Sequence, residues 1–119
     1  MHIDQATLNI AQLEERLGGD RELIAEVSQM LFEDAPRLAD GCRTALAVSD
    51  AEGASRAAHT LKGAAANLCA GAVCGVADRI ERLARDGDLA AARHACTLLL
   101  DEVDKLGLAL KAVIESSPG

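Results

Sequence analysis

The segment AAHTLKGAAANLCA, residues Ala57–Ala70, places one histidine among small side chains, with a lysine and a glycine shortly after it. The apolar residues in and just before this segment recur every three or four positions, at Ala54, Ala57, Leu61, Ala64 and Leu68. This spacing predicts an α-helix with one apolar face. His59 lies two positions from both Ala57 and Leu61, about 200° around the helix. We therefore expect the imidazole to point away from the core.

Helix-capping residues and glycines divide the chain into five predicted helices. Asp4 is expected to cap a short leading helix that ends near residue 17, before a Gly-Gly pair. Asp20 is expected to cap the second helix, in which Pro36 predicts either a kink or the start of a new helix. The segment Ser49–Glu52 has the capping-box pattern at the start of the third. Asp88 is expected to cap the last helix.

Composition and spacing together predict an all-α protein. Half of the residues are hydrophobic, yet the chain has one Phe and neither Trp nor Tyr, which favours close-packed helices over a β-sandwich. Short loops between long helices make neighbouring helices antiparallel. We therefore predict a single domain over residues 1–119, with a leading helix at about 4–17 and an antiparallel up-down four-helix bundle at about 20–115.

The formal net charge of −7 disfavours binding to nucleic acid or to an anionic membrane surface. No apolar stretch is long enough to span a bilayer, and no signal-peptide pattern opens the sequence. The four cysteines are dispersed, without a CxxC or HxxxH pair, so we expect no metal site. These features predict a cytoplasmic protein, with a monomer as the default.

Two cations lie close to His59 in the predicted helix. Ser55 and Arg56 are one turn before the histidine, and Lys62 and Gly63 are one turn after it. Positive charges at these positions favour the neutral imidazole, which is the nucleophilic form. The same cations could stabilise a phosphoryl group attached to the ring.

Small residues on the same face indicate that a second protein approaches His59 closely. Gly63 costs a mid-helix position about 1 kcal/mol relative to alanine, so an open backbone there calls for a functional reason. Ala66, one turn further, keeps the face flat. His94 lies in the last predicted helix without a cation or a glycine one turn away, so we interpret it as an ordinary surface residue.

The sequence AHTLKGAAANL, residues 58–68, resembles the signature of histidine phosphotransfer (HPt) domains, the relay modules of multistep two-component signalling. The resemblance implies a four-helix bundle in which His59 accepts a phosphoryl group from one receiver aspartate and passes it to another. It also implies that Lys62 faces the phosphate and that Gly63 allows the receiver access. The expected partners are receiver domains of response regulators or of a hybrid sensor histidine kinase. One departure is Cys69, where the family usually has glycine.

The sequence has no Walker loop and no glycine-rich nucleotide motif, so we expect no ATP-dependent kinase activity. We also expect no bound cofactor, and any Mg²⁺ used in the transfer is expected from the receiver. Two other functions are compatible with a helical bundle. One is a structural interaction module in which the histidine has no chemical role, and the other is a bundle that holds a metal or ligand, which requires polar side chains facing inward.

Overall fold

The computed structural model describes residues 2–116, so Met1 and residues 117–119 of the predicted domain lie outside it. The described part is all-α, as predicted, and contains no strand. Its five helices are α1 (Ile10–Arg16), α2 (Arg21–Ala47), α3 (Ala51–Asn67), α4 (Gly71–Arg85) and α5 (Leu89–Ser116). The leading helix, predicted at about 4–17, lies at Ile10–Arg16, and the helices of the bundle, predicted at about 20–115, lie within 21–116.

Helices α2 to α5 form a four-helix bundle with up-down connections. Each consecutive pair packs together, and α5 returns to pack against α2, which closes the ring. The turns at 48–50, 68–70 and 86–88 have three residues each, so consecutive helices run antiparallel. The described residues occupy about 45 × 21 × 19 Å. Across residues 2–116, every helix is too short or too polar to cross a membrane.

The four helices before α5 all end in the same backbone motif. The residue after each helix cap adopts a left-handed conformation, and the next amide donates to a carbonyl in the last turn, as in a Schellman motif. The left-handed residues are Gly18, Ser49, Cys69 and Gly87. Cys69 has φ +59°, so it occupies the conformation that glycine would supply at lower cost. The cysteine therefore preserves the end of the histidine helix.

Two predicted helix caps are wrong, each for a local reason. Asp4 makes a local turn by accepting the amide of Ala6 at 2.8 Å, and Asn9 caps α1 instead. Ser49 is already committed to terminating α2, so Asp50 caps α3 by accepting the amide of Gly53 at 2.9 Å. Asn9, five residues after Asp4, and Asp50, directly after Ser49, have the backbone conformation that a cap requires. The predicted cap at Asp88 is confirmed, since its side chain accepts the amide of Ala91 at 3.2 Å.

The proline in α2 neither divides the helix nor starts a new one. Helix α2 runs continuously from Arg21 to Ala47. Proline removes the amide that the carbonyl of Phe32 would accept. Both residues are exposed, so solvent can hydrate that carbonyl.

The buried face of α3 is rotated slightly from the predicted one. Ala54, Leu61 and Leu68 are buried as expected, but Ala58 and Ala65 are buried in place of Ala57 and Ala64, which are only half-buried. The alanines on this side of α3 are all small enough for α2 and α4 to approach closely, so spacing alone does not choose between neighbouring alanines.

The cysteines pack as part of the hydrophobic core. Cys42, Cys69 and Cys96 are buried, Cys74 is half-buried, and all four are free thiols. Burial raises the pKa of Cys42 to about 12, so its thiol stays protonated at neutral pH. Burial also raises the pKa of Cys96.

Candidate functional site

His59 lies near the middle of α3 and points outward, as its spacing predicts. Its side chain is 67 % exposed, whereas the neighbouring Ala58 and Leu61 are buried in the core. The imidazole is therefore held by a helix that is fixed by packing, with its ring open to solvent. A nucleophile that must meet another protein needs this combination of a rigid support and an open approach.

A buried carboxylate from the neighbouring helix holds the imidazole. Glu81 lies on α4, and its side chain is only 6 % exposed. Its Oε2 atom is 2.9 Å from His59 Nδ1. Glu81 follows the buried Ile80 and lies at the edge of the core-facing side of α4, where it meets α3. The contact fixes the direction of the ring and leaves Nε2 on the far side.

Two cations compensate the charge of Glu81. Lys62 Nζ is 2.6 Å from Glu81 Oε1, and Arg85 Nη2 is 2.6 Å from Oε2. The hydrogen bond from Lys62 is the main reason that the pKa of Glu81 lies below its usual value, and the hydrogen bond from His59 adds to this effect. Glu81 is therefore ionised at neutral pH.

An ionised carboxylate only accepts hydrogen bonds, so His59 Nδ1 must be the donor in its contact with Glu81. In the neutral imidazole the other nitrogen, Nε2, then has the free lone pair. Glu81 thus selects the tautomer that has its lone pair on Nε2, the nitrogen that faces away from Glu81. The hydrogen is assigned to Nδ1 because the ionised Glu81 can only accept a hydrogen bond. The position of the ring alone would not decide which nitrogen holds it.

Lys62 faces two carboxylates. Besides Glu81, its Nζ lies 3.4 Å from Asp78 Oδ1, and Asp78 Oδ2 in turn accepts a hydrogen bond from Arg82 at 2.7 Å. The hydrogen bond with Glu81 is the main reason that the pKa of Lys62 is raised. The lysine side chain is 29 % exposed, so its charge is at the surface of the cluster, one turn from His59.

The two predicted residues before His59 lie apart from this cluster. Arg56 is exposed and pairs with Glu52 on its own helix, with Nη1 3.2 Å from Oε1. Ser55 is half-buried. Both cations that the sequence places near His59 have carboxylate partners: Glu52 for Arg56, and Glu81 and Asp78 for Lys62.

The surface one turn after His59 is open. Gly63 is exposed, and a Cβ atom added there would find no atom within 4 Å. Ala66 is exposed as well, and its carbonyl accepts a hydrogen bond from Arg16 Nη1 at 2.9 Å. The free domain therefore gives Gly63 no packing role.

A shallow groove of about 320 Å³ lies on the α2 side of this surface. Its lining residues are Leu17, Val27, Met30, Leu31, Asp34, Ala64, Asn67 and Leu68. Most of these side chains are apolar, and Met30 is exposed. His59 thus lies on a helix that has an apolar groove on one side and a charged cluster on the other.

The sequence did not identify Glu81, Asp78 or Arg85 as site residues. The pairs Asp78–Arg82 and Glu81–Arg85 have the i,i+4 spacing of helical ion pairs, which is visible in the sequence. Their position opposite His59 depends on how α3 and α4 align along their length. That alignment is a property of the packed bundle.

His94 occupies a contrasting position on α5. It is exposed, and within residues 2–116 it has no ion pair. Over the same residues, no three His, Cys, Asp or Glu side chains are grouped as a metal ion would require.

Comparisons with known proteins show which family and which solved structure the chain is similar to. The model of the Hpt domain family matches residues 26–109. A crystal structure of the HPT domain from a sensor hybrid histidine kinase of Shewanella superposes with a TM-score of 0.86 at 23 % sequence identity. That match covers 98 % of this chain and 100 % of the Shewanella chain. No curated protein matches the sequence.

Proposed function

Since the chain belongs to the Hpt domain family, whose role is histidine phosphotransfer in phosphorelays, we propose that His59 is its phosphoacceptor. The observation that supports this assignment most strongly is the exposed imidazole whose Nδ1 is anchored by the buried Glu81. His59 would receive the phosphoryl group from an aspartyl phosphate of one receiver domain and pass it to an aspartate of another.

The transfer step follows from the tautomer that Glu81 selects. His59 Nε2 attacks the phosphorus atom, an N–P bond forms, and the P–O bond to the receiver aspartate breaks, releasing a carboxylate. As Nε2 donates its lone pair, positive charge develops on the ring. Glu81 lies 2.9 Å from the protonated Nδ1 and stabilises that charge. The reverse sequence returns the phosphoryl group to a receiver.

Lys62 is the proposed phosphoryl-stabilising cation. It lies one turn from His59 at the surface of the cluster, and its ammonium group has three N–H donors. Glu81 and Asp78 hold the ammonium group in place, so it is positioned before the phosphoryl group arrives. We propose that Mg²⁺ enters with the receiver domain and that this chain binds no cofactor of its own.

Ser55, Arg56, Gly63 and Ala66 are the proposed docking residues. Gly63 and Ala66 present an open, flat surface beside the imidazole, which suits an approach to within about 3–3.5 Å of the phosphorus atom. We propose that the partners are receiver domains of response regulators or of a hybrid sensor kinase. We also propose that the chain acts as a cytoplasmic monomer without ATP-dependent kinase activity.

The direct test is a panel of purified receiver domains, each phosphorylated by a small phosphodonor and mixed with this chain. We expect at least one receiver to transfer its label to the parent chain and none to label His59→Gln. Failure of every receiver and of free phosphoramidate to label the chain would leave it with no phosphoryl chemistry, as expected of a purely structural helical module.

A further inference from the structure

Charge is distributed unevenly between the helices. Helices α3 and α4 together have five Lys or Arg residues and three Asp or Glu residues, a net charge of +2. The remainder of the chain has seven basic and sixteen acidic residues, a net charge of −9. The helix pair that contains His59 is therefore a positively charged region on an acidic protein.

Three arginines at intervals of three residues form the outer part of this region, and we name them the α4 arginine strip: Arg79, Arg82 and Arg85. All three are exposed. Within the described residues Arg79 has no ion pair, while Arg82 and Arg85 each pair with an acid four residues earlier on α4. A guanidinium group has five N–H donors, so such a pair leaves donors for a further anion.

The α4 arginine strip runs alongside the His59 cluster. Arg85 Nη2 and His59 Nδ1 contact the same oxygen atom, Glu81 Oε2. Arg82 contacts Asp78, which also contacts Lys62. Arg79 lies one turn before Arg82 and contacts none of these groups. It is two positions from Glu81, about 200° around α4, so the strip turns from the site onto the outer surface of the helix.

We infer that the α4 arginine strip is a recognition surface for the acidic face that surrounds the phosphoaspartate of a receiver domain. This inference rests on the proposed function. A phosphoaspartate and the carboxylates that bind Mg²⁺ beside it form an anionic patch on the receiver. The acidic remainder of this chain repels such a patch, and only the α3–α4 side attracts it. Charge complementarity therefore orients the encounter so that the receiver meets His59.

Contacts in the apolar groove on the α2 side would affect the lifetime of the complex and not the rate of encounter. Apolar contacts act mainly on how long a complex lasts, whereas opposite charges outside the contact raise the association rate. Charges steer over a distance that salt controls, about 30 Å at 0.01 M ionic strength and about 3 Å at 1 M. The strip should therefore affect the rate of encounter, most strongly at low salt.

The test compares Arg79→Glu with Lys111→Glu. Both residues are exposed, lie on helices and have no ion pair within residues 2–116, and both substitutions change the net charge equally. Lys111 is on α5, the helix diagonal to α3. The partner is the receiver that labels the parent chain fastest in the panel, and the measurement is its second-order transfer rate. At about 20 mM salt we expect Arg79→Glu to be roughly 5- to 10-fold slower than the parent and Lys111→Glu to stay within about 2-fold.

Adding Arg82→Gln to Arg79→Glu should slow transfer further, and the differences should vanish near about 0.5 M salt. Equal losses for Arg79→Glu and Lys111→Glu would show that only overall charge matters, and no loss for either would remove the strip from recognition. Phosphoramidate labelling of His59 is measured in parallel. If the parent chain is not labelled, the proposed function fails; if labelling is intact but the two variants behave alike, only the recognition surface fails.

Discussion

His59 and His94 are both exposed histidines in long helices of one bundle. Within residues 2–116, His59 alone has a charged side chain of a neighbouring helix in contact with its ring. His59 faces α4, where a buried carboxylate accepts its Nδ1 hydrogen and two cations balance that carboxylate. His94 lies on α5 and has no comparable partner among residues 2–116. Exposure is common to both, so it cannot account for reactivity. What sets His59 apart is therefore the neighbouring helix, whose Glu81 fixes the direction of the ring and the nitrogen that holds the hydrogen.

The strongest test of this comparison is to remove each ring in turn. His59→Gln should abolish phosphoryl acceptance from a receiver, whereas His94→Gln should accept at the parent rate. Neither side chain contributes to the core, so both variants should keep the parent helicity and melting temperature to within a few degrees. Acceptance that survives in His59→Gln and disappears in His94→Gln would reverse the assignment.

The next effect concerns the cation beside His59. Lys62→Ala should slow transfer by about 10- to 100-fold, because the phosphoryl group loses a positioned positive charge. Glu81 retains Arg85 and His59 as partners, so the domain should stay folded. Within residues 2–116, Lys105 on α5 has Glu102 as its one ion-pair partner, and Lys105→Ala should transfer at the parent rate. Equal rates for the two variants would make Lys62 a structural residue.

A larger side chain beside each histidine is expected to have a smaller and more specific effect on phosphoryl transfer. Gly63→Gln adds a side chain one turn after His59, and Ala90→Gln adds one a turn before His94. We expect Gly63→Gln to reduce transfer from a receiver roughly 10-fold while labelling by phosphoramidate is retained, because only docking needs the open surface. Ala90→Gln should change neither reaction.

The stability of the free domain shows whether Gly63 has a packing role of its own. No atom lies within 4 Å of a Cβ placed at Gly63, so Gly63→Ala should be neutral or stabilise the fold by up to about 1 kcal/mol. Unfolding of Gly63→Ala would assign the glycine to helix packing. Unchanged transfer from the receiver to Gly63→Gln would place the docking partner elsewhere.

The smallest expected effect is on the pH dependence of stability. Folding lowers the pKa of Glu81 below its usual value of 4.5, mainly through Lys62. The resulting stabilisation is complete above about pH 4.5 and is lost as the pH falls through the folded-state pKa. Glu81→Gln has no such proton, so its melting temperature should fall less steeply than that of the parent between about pH 5 and 2.5. Parallel melting curves over this range would show that Glu81 is not stabilised as a charge.

Some features of the fold could be predicted because they depend on local spacing. The five helices, the outward direction of His59 and the cap at Asp88 follow from periodicity and from residues within one turn. The starts of α1 and α3 differ from the predicted ones. Asp4 makes a local turn five residues before Asn9, and Ser49 terminates α2 next to the capping residue Asp50. Only the backbone conformation, such as the left-handed Ser49, decides which residue serves.

Only the part of the site that lies on α3 could be predicted from the sequence. His59, Lys62 and Gly63 lie on one helix, so their proximity follows from the sequence alone. Glu81 is 22 residues after His59 and reaches it only when α3 and α4 pack in one particular alignment. No pattern within a single helix determines that alignment, so the residue that selects the tautomer became visible only in the folded bundle.

We propose that Glu81 holds Nδ1 of His59 protonated, so that Nε2 accepts the phosphoryl group. Nitrogen NMR of the histidine rings tests this most directly, after the ¹⁵N-labelled chain has been phosphorylated by a receiver. We expect one phosphorylated ring, at His59, with phosphorus bonded to Nε2 and hydrogen retained on Nδ1. Phosphorus bonded to Nδ1 of His59, or to a ring nitrogen of His94, would contradict it.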